Sequence, residues 1–138
     1  MPWIQNISLA EASSGGHPDP GSNSMLIQIL STGRDFPKSP YPFKETYRFH
    51  FSDIEDNHPR AEVEGITDRQ AAEIARVLVR ALRKGMNVIV HCHAGIYRSG
   101  AVCDVGTLLG FLDTKRMRIP NKRVRKKLIE ALQNMRSI

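Results

Sequence analysis

Residues 88–100 read VIVHCHAGIYRSG. Three β-branched residues, Val88, Ile89 and Val90, run into His91 and Cys92; Arg98, Ser99 and Gly100 then open a second apolar run. The first run has the make-up of a strand buried on both faces. The second, AVCDVGTLLGFL, is apolar on nearly all sides, as an interior helix is. Residues 92–98 are left as a tight strand-to-helix connection, and Gly95 supplies the backbone angles that such a turn requires.

A connection of this kind gathers backbone N–H groups and the positive end of a helix dipole around one point, forming a nest for a tetrahedral oxyanion. His93, Ala94, Gly95, Ile96, Tyr97 and Arg98 are the residues expected to line it. A thiol at a helix N-terminus and beside a cation is drawn toward its thiolate form, the form that attacks phosphorus. Cys92 takes that place. Arg98 adds a planar fork that matches two phosphate oxygens and stabilises charge on a transferring phosphoryl group. Ser99 is placed for its hydroxyl to donate to the sulfur when it departs, and His91 supports the thiolate's surroundings.

Outward from this centre, Thr67 and Gln70 form a capping box, and Ala71, Ile74, Ala75, Leu78 and Leu82 make one apolar stripe up to Gly85, so a helix precedes the buried strand. MLIQIL (25–30) and TYRFHF (46–51) read as strands, and WIQNISLA as a half-buried one. Residues 11–24, rich in Gly, Pro and Ser, are expected to be a mobile surface loop. Pro120 and Asn121 start a last helix, whose Val124, Leu128, Ile129 and Leu132 face the core. Cys103 reads as core, and Asp104, in an otherwise apolar helix, needs a polar partner. Two or three short strands around a buried strand–loop–helix unit, with flanking helices, make an α/β fold, expected as a single domain over residues 1–138.

The bulk numbers agree with an ordinary globular chain: 138 residues, 41% hydrophobic and 25% charged. No apolar run approaches a membrane span, and the N-terminus lacks the pattern of a secretory signal. Two cysteines make no disulfide framework and point to a reducing cytoplasm. The net charge of +6 is concentrated in Lys115–Arg136, where nine of 22 residues are Lys or Arg. Such a run offers contact with polyanions, or simply a solvated helix face.

The stretch His91-Cys92-His93-Ala94-Gly95-Ile96-Tyr97-Arg98-Ser99 resembles the signature of the cysteine-dependent protein tyrosine phosphatases, His-Cys-x5-Arg-Ser/Thr, in the HCxAGxxRS form of their small dual-specificity branch. The order of elements over roughly residues 45–134 follows that family, and the first 44 residues match it in outline. The resemblance implies a small phosphatase fold and hydrolysis of phosphate monoesters on protein through a cysteinyl-phosphate. Phosphotyrosine is the implied substrate, with phosphoserine and phosphothreonine reachable if the site is shallow. It also implies a general acid, an aspartate on a loop some thirty-odd residues before the cysteine. Asp53 follows TYRFHF directly, 39 residues upstream of Cys92, and is preferred; Asp56, 36 upstream, is the alternative. Neighbouring carboxylates in this cluster are expected to raise one another's pKa. No cofactor or metal is expected, because side chains on adjacent residues of a strand end alternate in direction and seldom chelate one ion. An RNA 5′-triphosphatase, favoured by the basic C-terminal run, and a catalytically silent phosphate-binding module are the rival readings.

Overall fold

The computed structural model describes residues 1–136; residues 137 and 138, and the side chain of Arg136 that closes the basic run, lie outside the described residues. The elements are β1 (Trp3–Ile7), α1 (Leu9–Ser14), β2 (Ser24–Leu30), β3 (Glu45–His50), α2 (Ala61–Glu64), α3 (Asp68–Arg83), β4 (Asn87–His91), α4 (Arg98–Leu109), β5 (Leu112–Asp113) and α5 (Lys122–Arg136). The five strands form one sheet in the order β3-β2-β4-β1-β5, which adds one to the buried strand and the short strands around it read from sequence. The extra one, β5, is two exposed residues long and carries no alternation to read.

Every pairing is parallel. Val88, Ile89 and Val90 of β4 are fully buried, as the continuous β-branched run requires of a strand covered on both faces. Alternate side chains serve two layers. Ile4, Met25, Ile27, Val88 and Val90 point to the face covered by α3, α4 and α5, and Ile7, Leu26 and Ile89 point to the face covered by α1. Because all strands run the same way, the ends of β1, β2, β3 and β4 at Ile7, Leu30, His50 and His91 gather on one edge, where open α/β sheets bind ligands.

Residues 11–24 are not the mobile loop expected. Leu9–Ser14 is helical, with Ser8 and Glu11 forming a capping box and Gly15 closing it in the left-handed region at φ +77°. The remainder is held down: the Tyr41 hydroxyl donates to the carbonyls of Gly15 and His17, and Asn87 Nδ2 to that of Pro20.

The basic C-terminal run is largely committed inside the molecule. Arg116 pairs with Glu11, Arg118 with Asp104 and Asp113, Arg125 with Asp104, Lys126 with Asp56 and Lys127 with Asp68. Asp104 has thereby found its partners. Arg123 is buried and bonds Asp56, Glu62 and the Ile66 carbonyl, clamping the segment between β3 and α3 against α5. Among the described residues no helix is long and apolar enough to cross a membrane.

Candidate active site

β4 delivers Cys92 to the sheet edge, buried at 1% exposure, and α4 begins six residues later at Arg98. Three donors converge on the sulfur: the Ser99 hydroxyl lies 3.1 Å from Sγ, the Gly95 N–H donates at 3.3 Å and the Ser99 N–H at 3.5 Å. The first turn of α4 stands beside these donors, so the sulfur sits at a helix N-terminus. Gly95 has φ +76° and lies flat against β1.

The direction of the other N–H groups follows from where the carbonyls go. His93 O accepts from Leu9 N–H, Gly95 O from Asn6 Nδ2, Ile96 O from Ile119 N–H, and Tyr97 O from the N–H groups of Ala101 and Asn121. Each of these donors stands outside the loop or, for Ala101, one turn along α4. In a trans peptide the C=O and the following N–H point in opposite directions. The N–H groups of Ala94, Ile96, Tyr97 and Arg98 are therefore turned to the other side, toward the space above Cys92. The loop is a cup of donors held open by an outer ring of hydrogen bonds.

Arg98 is 5% exposed. Its Nη1 donates to the Phe51 carbonyl at 2.8 Å and the Ser31 hydroxyl at 3.3 Å, which fixes the guanidinium to the ends of β2 and β3. Its Nε is buried with no partner among the described residues. A buried, charged donor left unspent is costly unless a ligand completes it.

His91 is fully buried, with Nδ1 3.4 Å from the Cys92 carbonyl. Burial pushes its pKa down from 6.5 to about 4, so it is a neutral ring that packs beneath the loop and lends no positive charge to the Cys92 sulfur. A histidine that refuses a proton when folded weakens the fold as pH falls from 6.5 toward 4, because the unfolded chain takes that proton up. Between pH 7.5 and pH 5 the wild type should lose about 2 kcal/mol more stability than His91→Asn. Urea midpoints at the two pH values test this, and equal losses would show that His91 titrates normally. His93, by contrast, is exposed at the rim, as are Ala94 and Tyr97.

The three acids after β3 are separated by their partners. Asp53 is exposed, and its Oδ1 accepts from Asn121 Nδ2 at 2.8 Å; the same amide bonds the Ile54 carbonyl, and its oxygen caps α5 through the Val124 N–H. Since the Asn121 N–H also bonds Tyr97 O, Asp53 is joined to Tyr97 of the Cys92–Arg98 loop through a single residue. Glu55 caps the backbone N–H groups of Lys122 and Arg123. Asp56 faces Lys126 and Arg123, which hold its carboxyl below the ordinary carboxylate range. The expectation of mutually raised pKa values does not apply to Asp56, since its near neighbours are cations. Neither Asn6 nor the tethering part of Asn121 was readable from motif spacing. A polar residue at an inward position of β1, two along from Ile4, was the available signal for Asn6.

No family model matches the sequence, and no curated protein matches it. Solved structures do. A crystal structure of human DUSP28 superposes with a TM-score of 0.62 at 17% identity, over 99% of this chain and 96% of that one. The human tyrosine phosphatase-like serine/threonine/tyrosine-interacting protein gives 0.63 at 16% identity, over 100% and 95%.

The fold is that of the dual-specificity phosphatases.

A mouse protein described as a dual specificity phosphatase, complexed with zinc tungstate, gives 0.52 at 18% identity, over 84% of this chain and 74% of that one. The dual-specificity phosphatase fold thus takes in the first 44 residues, whose sequence matched the family only in outline.

Proposed function

We propose that this chain hydrolyses phosphate monoesters on proteins, phosphotyrosine first and phosphoserine or phosphothreonine with it, through a cysteinyl-phosphate. The observation that carries this reading is the convergence of the Ser99 hydroxyl and the Gly95 and Ser99 N–H groups on a buried Cys92 sulfur at the start of α4. In the first half-reaction the Cys92 thiolate forms an S–P bond as the ester P–O bond breaks, and Asp53 gives its proton to the departing oxygen. The loop N–H groups and Arg98 stabilise the charge on the three equatorial oxygens. In the second, water attacks phosphorus and passes a proton to Asp53, while Cys92 leaves as thiolate with the Ser99 hydroxyl donating to it. Inorganic phosphate is released, and no cofactor enters the scheme.

The tether from Tyr97 through Asn121 supports Asp53 as the acid, and the two cations on Asp56 speak against the alternative. The RNA 5′-triphosphatase reading leaned on the basic run, and most of those cations are paired with carboxylates of the same molecule. The silent-module reading has no use for a serine hydroxyl set on the sulfur. Both thiols are free, which suits a reducing cytoplasm.

The test is hydrolysis of a small aryl phosphate in EDTA, across pH, by wild type, Cys92→Ser and Asp53→Asn. Cys92→Ser is expected to abolish turnover, and Asp53→Asn to lower kcat by about 10²-fold and remove the basic limb of its pH profile. Retained activity in Cys92→Ser would overturn the reading. An unchanged profile in Asp53→Asn would move the proton donor elsewhere.

A further inference from the structure

The outer ring that holds the phosphate loop open is made of backbone donors with one exception. Leu9, Ile119, Asn121 and Ala101 contribute main-chain N–H groups, which no side-chain change removes. The Gly95 carbonyl depends on the side chain of Asn6. Asn6 lies near the C-terminal end of β1, opposite Val90 in the β4 register, and is fully buried. Its Nδ2 donates to Gly95 O at 2.7 Å and to Met117 O at 3.1 Å, while its Oδ1 has no partner among the described residues. A buried amide with an idle oxygen is costly, and an apolar residue of the same size would avoid that cost. What the amide supplies in return is its pair of donors.

We propose that Asn6 is a positioning residue for oxyanion binding: by holding the Gly95 carbonyl toward β1, it turns the Ile96 N–H at the other end of the same peptide into the phosphate cup. Gly95, lacking a side chain and sitting at φ +76°, has the freedom to rotate that peptide once the hold is released. The second bond, to Met117, ties the cup to the segment that also supplies the Ile119 donor to Ile96. Asn6 itself touches neither substrate nor sulfur. This inference rests on the phosphate-binding reading of the loop, but its test does not need turnover.

The test measures protection of Cys92 against alkylation by iodoacetamide, with inorganic phosphate as the protecting ion, in wild type, Asn6→Leu and Asn6→Asp. A Cys103→Ser background leaves one thiol to follow, and thermal unfolding checks that each variant is folded. Asn6→Leu is expected to need about tenfold more phosphate for half-protection, the effect of losing one well-made hydrogen bond to the loop. Asn6→Asp separates positioning from packing. As a neutral acid it can still donate one proton to Gly95 O; once ionised it repels both carbonyls. Its phosphate affinity relative to wild type should therefore fall as pH rises, a pH dependence that loss of packing would not produce. Wild-type affinity in folded Asn6→Leu overturns the proposal. Should Asn6→Leu not fold, a pH-independent affinity ratio in Asn6→Asp overturns it equally. If phosphate fails to protect even the wild type, the loop is not an oxyanion site and the functional reading falls first.

Discussion

Gly95→Ala is expected to lose essentially all turnover and about 2–5 kcal/mol of stability. Two independent costs add. An alanine at φ +76° pays about 1–2 kcal/mol in the left-handed region. Its Cβ would also lie 2.4 Å from the Ile7 carbonyl carbon and the Ser8 nitrogen, and 2.6 Å from the Ile7 oxygen. Those atoms are main chain, and Ile7 belongs to a strand paired on β4, so β1 cannot yield as a flexible side chain would. Overpacking of this kind costs about 1–3 kcal/mol when the neighbours can shift. If the loop gives way instead, Gly95 N–H leaves the sulfur and activity goes with it. Gly21→Ala is the control: its φ is +81°, yet nothing lies within 4 Å of the added Cβ, so only the conformational cost remains. Chemical denaturation and aryl phosphate turnover on both variants decide the matter. Equal stability losses would mean that the loop does not press on β1.

Arg98→Lys is expected to lower kcat/KM by about 10²–10³-fold while leaving the fold largely intact. The guanidinium divides its work, with Nη1 spent on the Phe51 carbonyl and the Ser31 hydroxyl and Nε left over. A lysine keeps the charge but offers a point donor, which can hold the strand ends or meet an oxyanion and cannot present a fork to two oxygens. The loss should fall mainly on kcat if the fork matters most when charge spreads over the equatorial oxygens, and steady-state kinetics with an aryl phosphate separates the two parameters. A change under tenfold would show that Arg98 serves the strand ends alone.

The centre of the fold was legible because its signals are local. A β-branched run, a glycine and an apolar helix stand side by side in residues 88–109, and the capping box at Thr67 and Gln70 formed as written. A second box, Ser8 with Glu11, was equally plain but lay at the edge of a Gly- and Ser-rich stretch whose composition masked it. What stayed hidden depends on pairs far apart in the chain. The two-residue β5 exists because Leu112 and Asp113 meet β1, and Arg123 is buried because α5 carries it against Asp56 and Ile66. A run of cations looks the same in sequence whether its carboxylates are bulk solvent's counterions or Glu11, Asp56, Asp68 and Asp104. The acidic cluster misled for the same reason: the carboxylates are close in sequence, but Asp56 points to α5 and Asp53 to Asn121.

The outer ring of hydrogen bonds has an evolutionary corollary. Because the cup is held by the Asn6 amide of β1 and by main-chain groups of α1, α4 and the residues before α5, the side chains of His93, Ala94 and Tyr97 at its exposed rim carry little of its architecture. They are free to be exchanged. On the proposed function, selectivity toward what flanks a phosphate can drift at these positions while the backbone cup that would grip it keeps its shape.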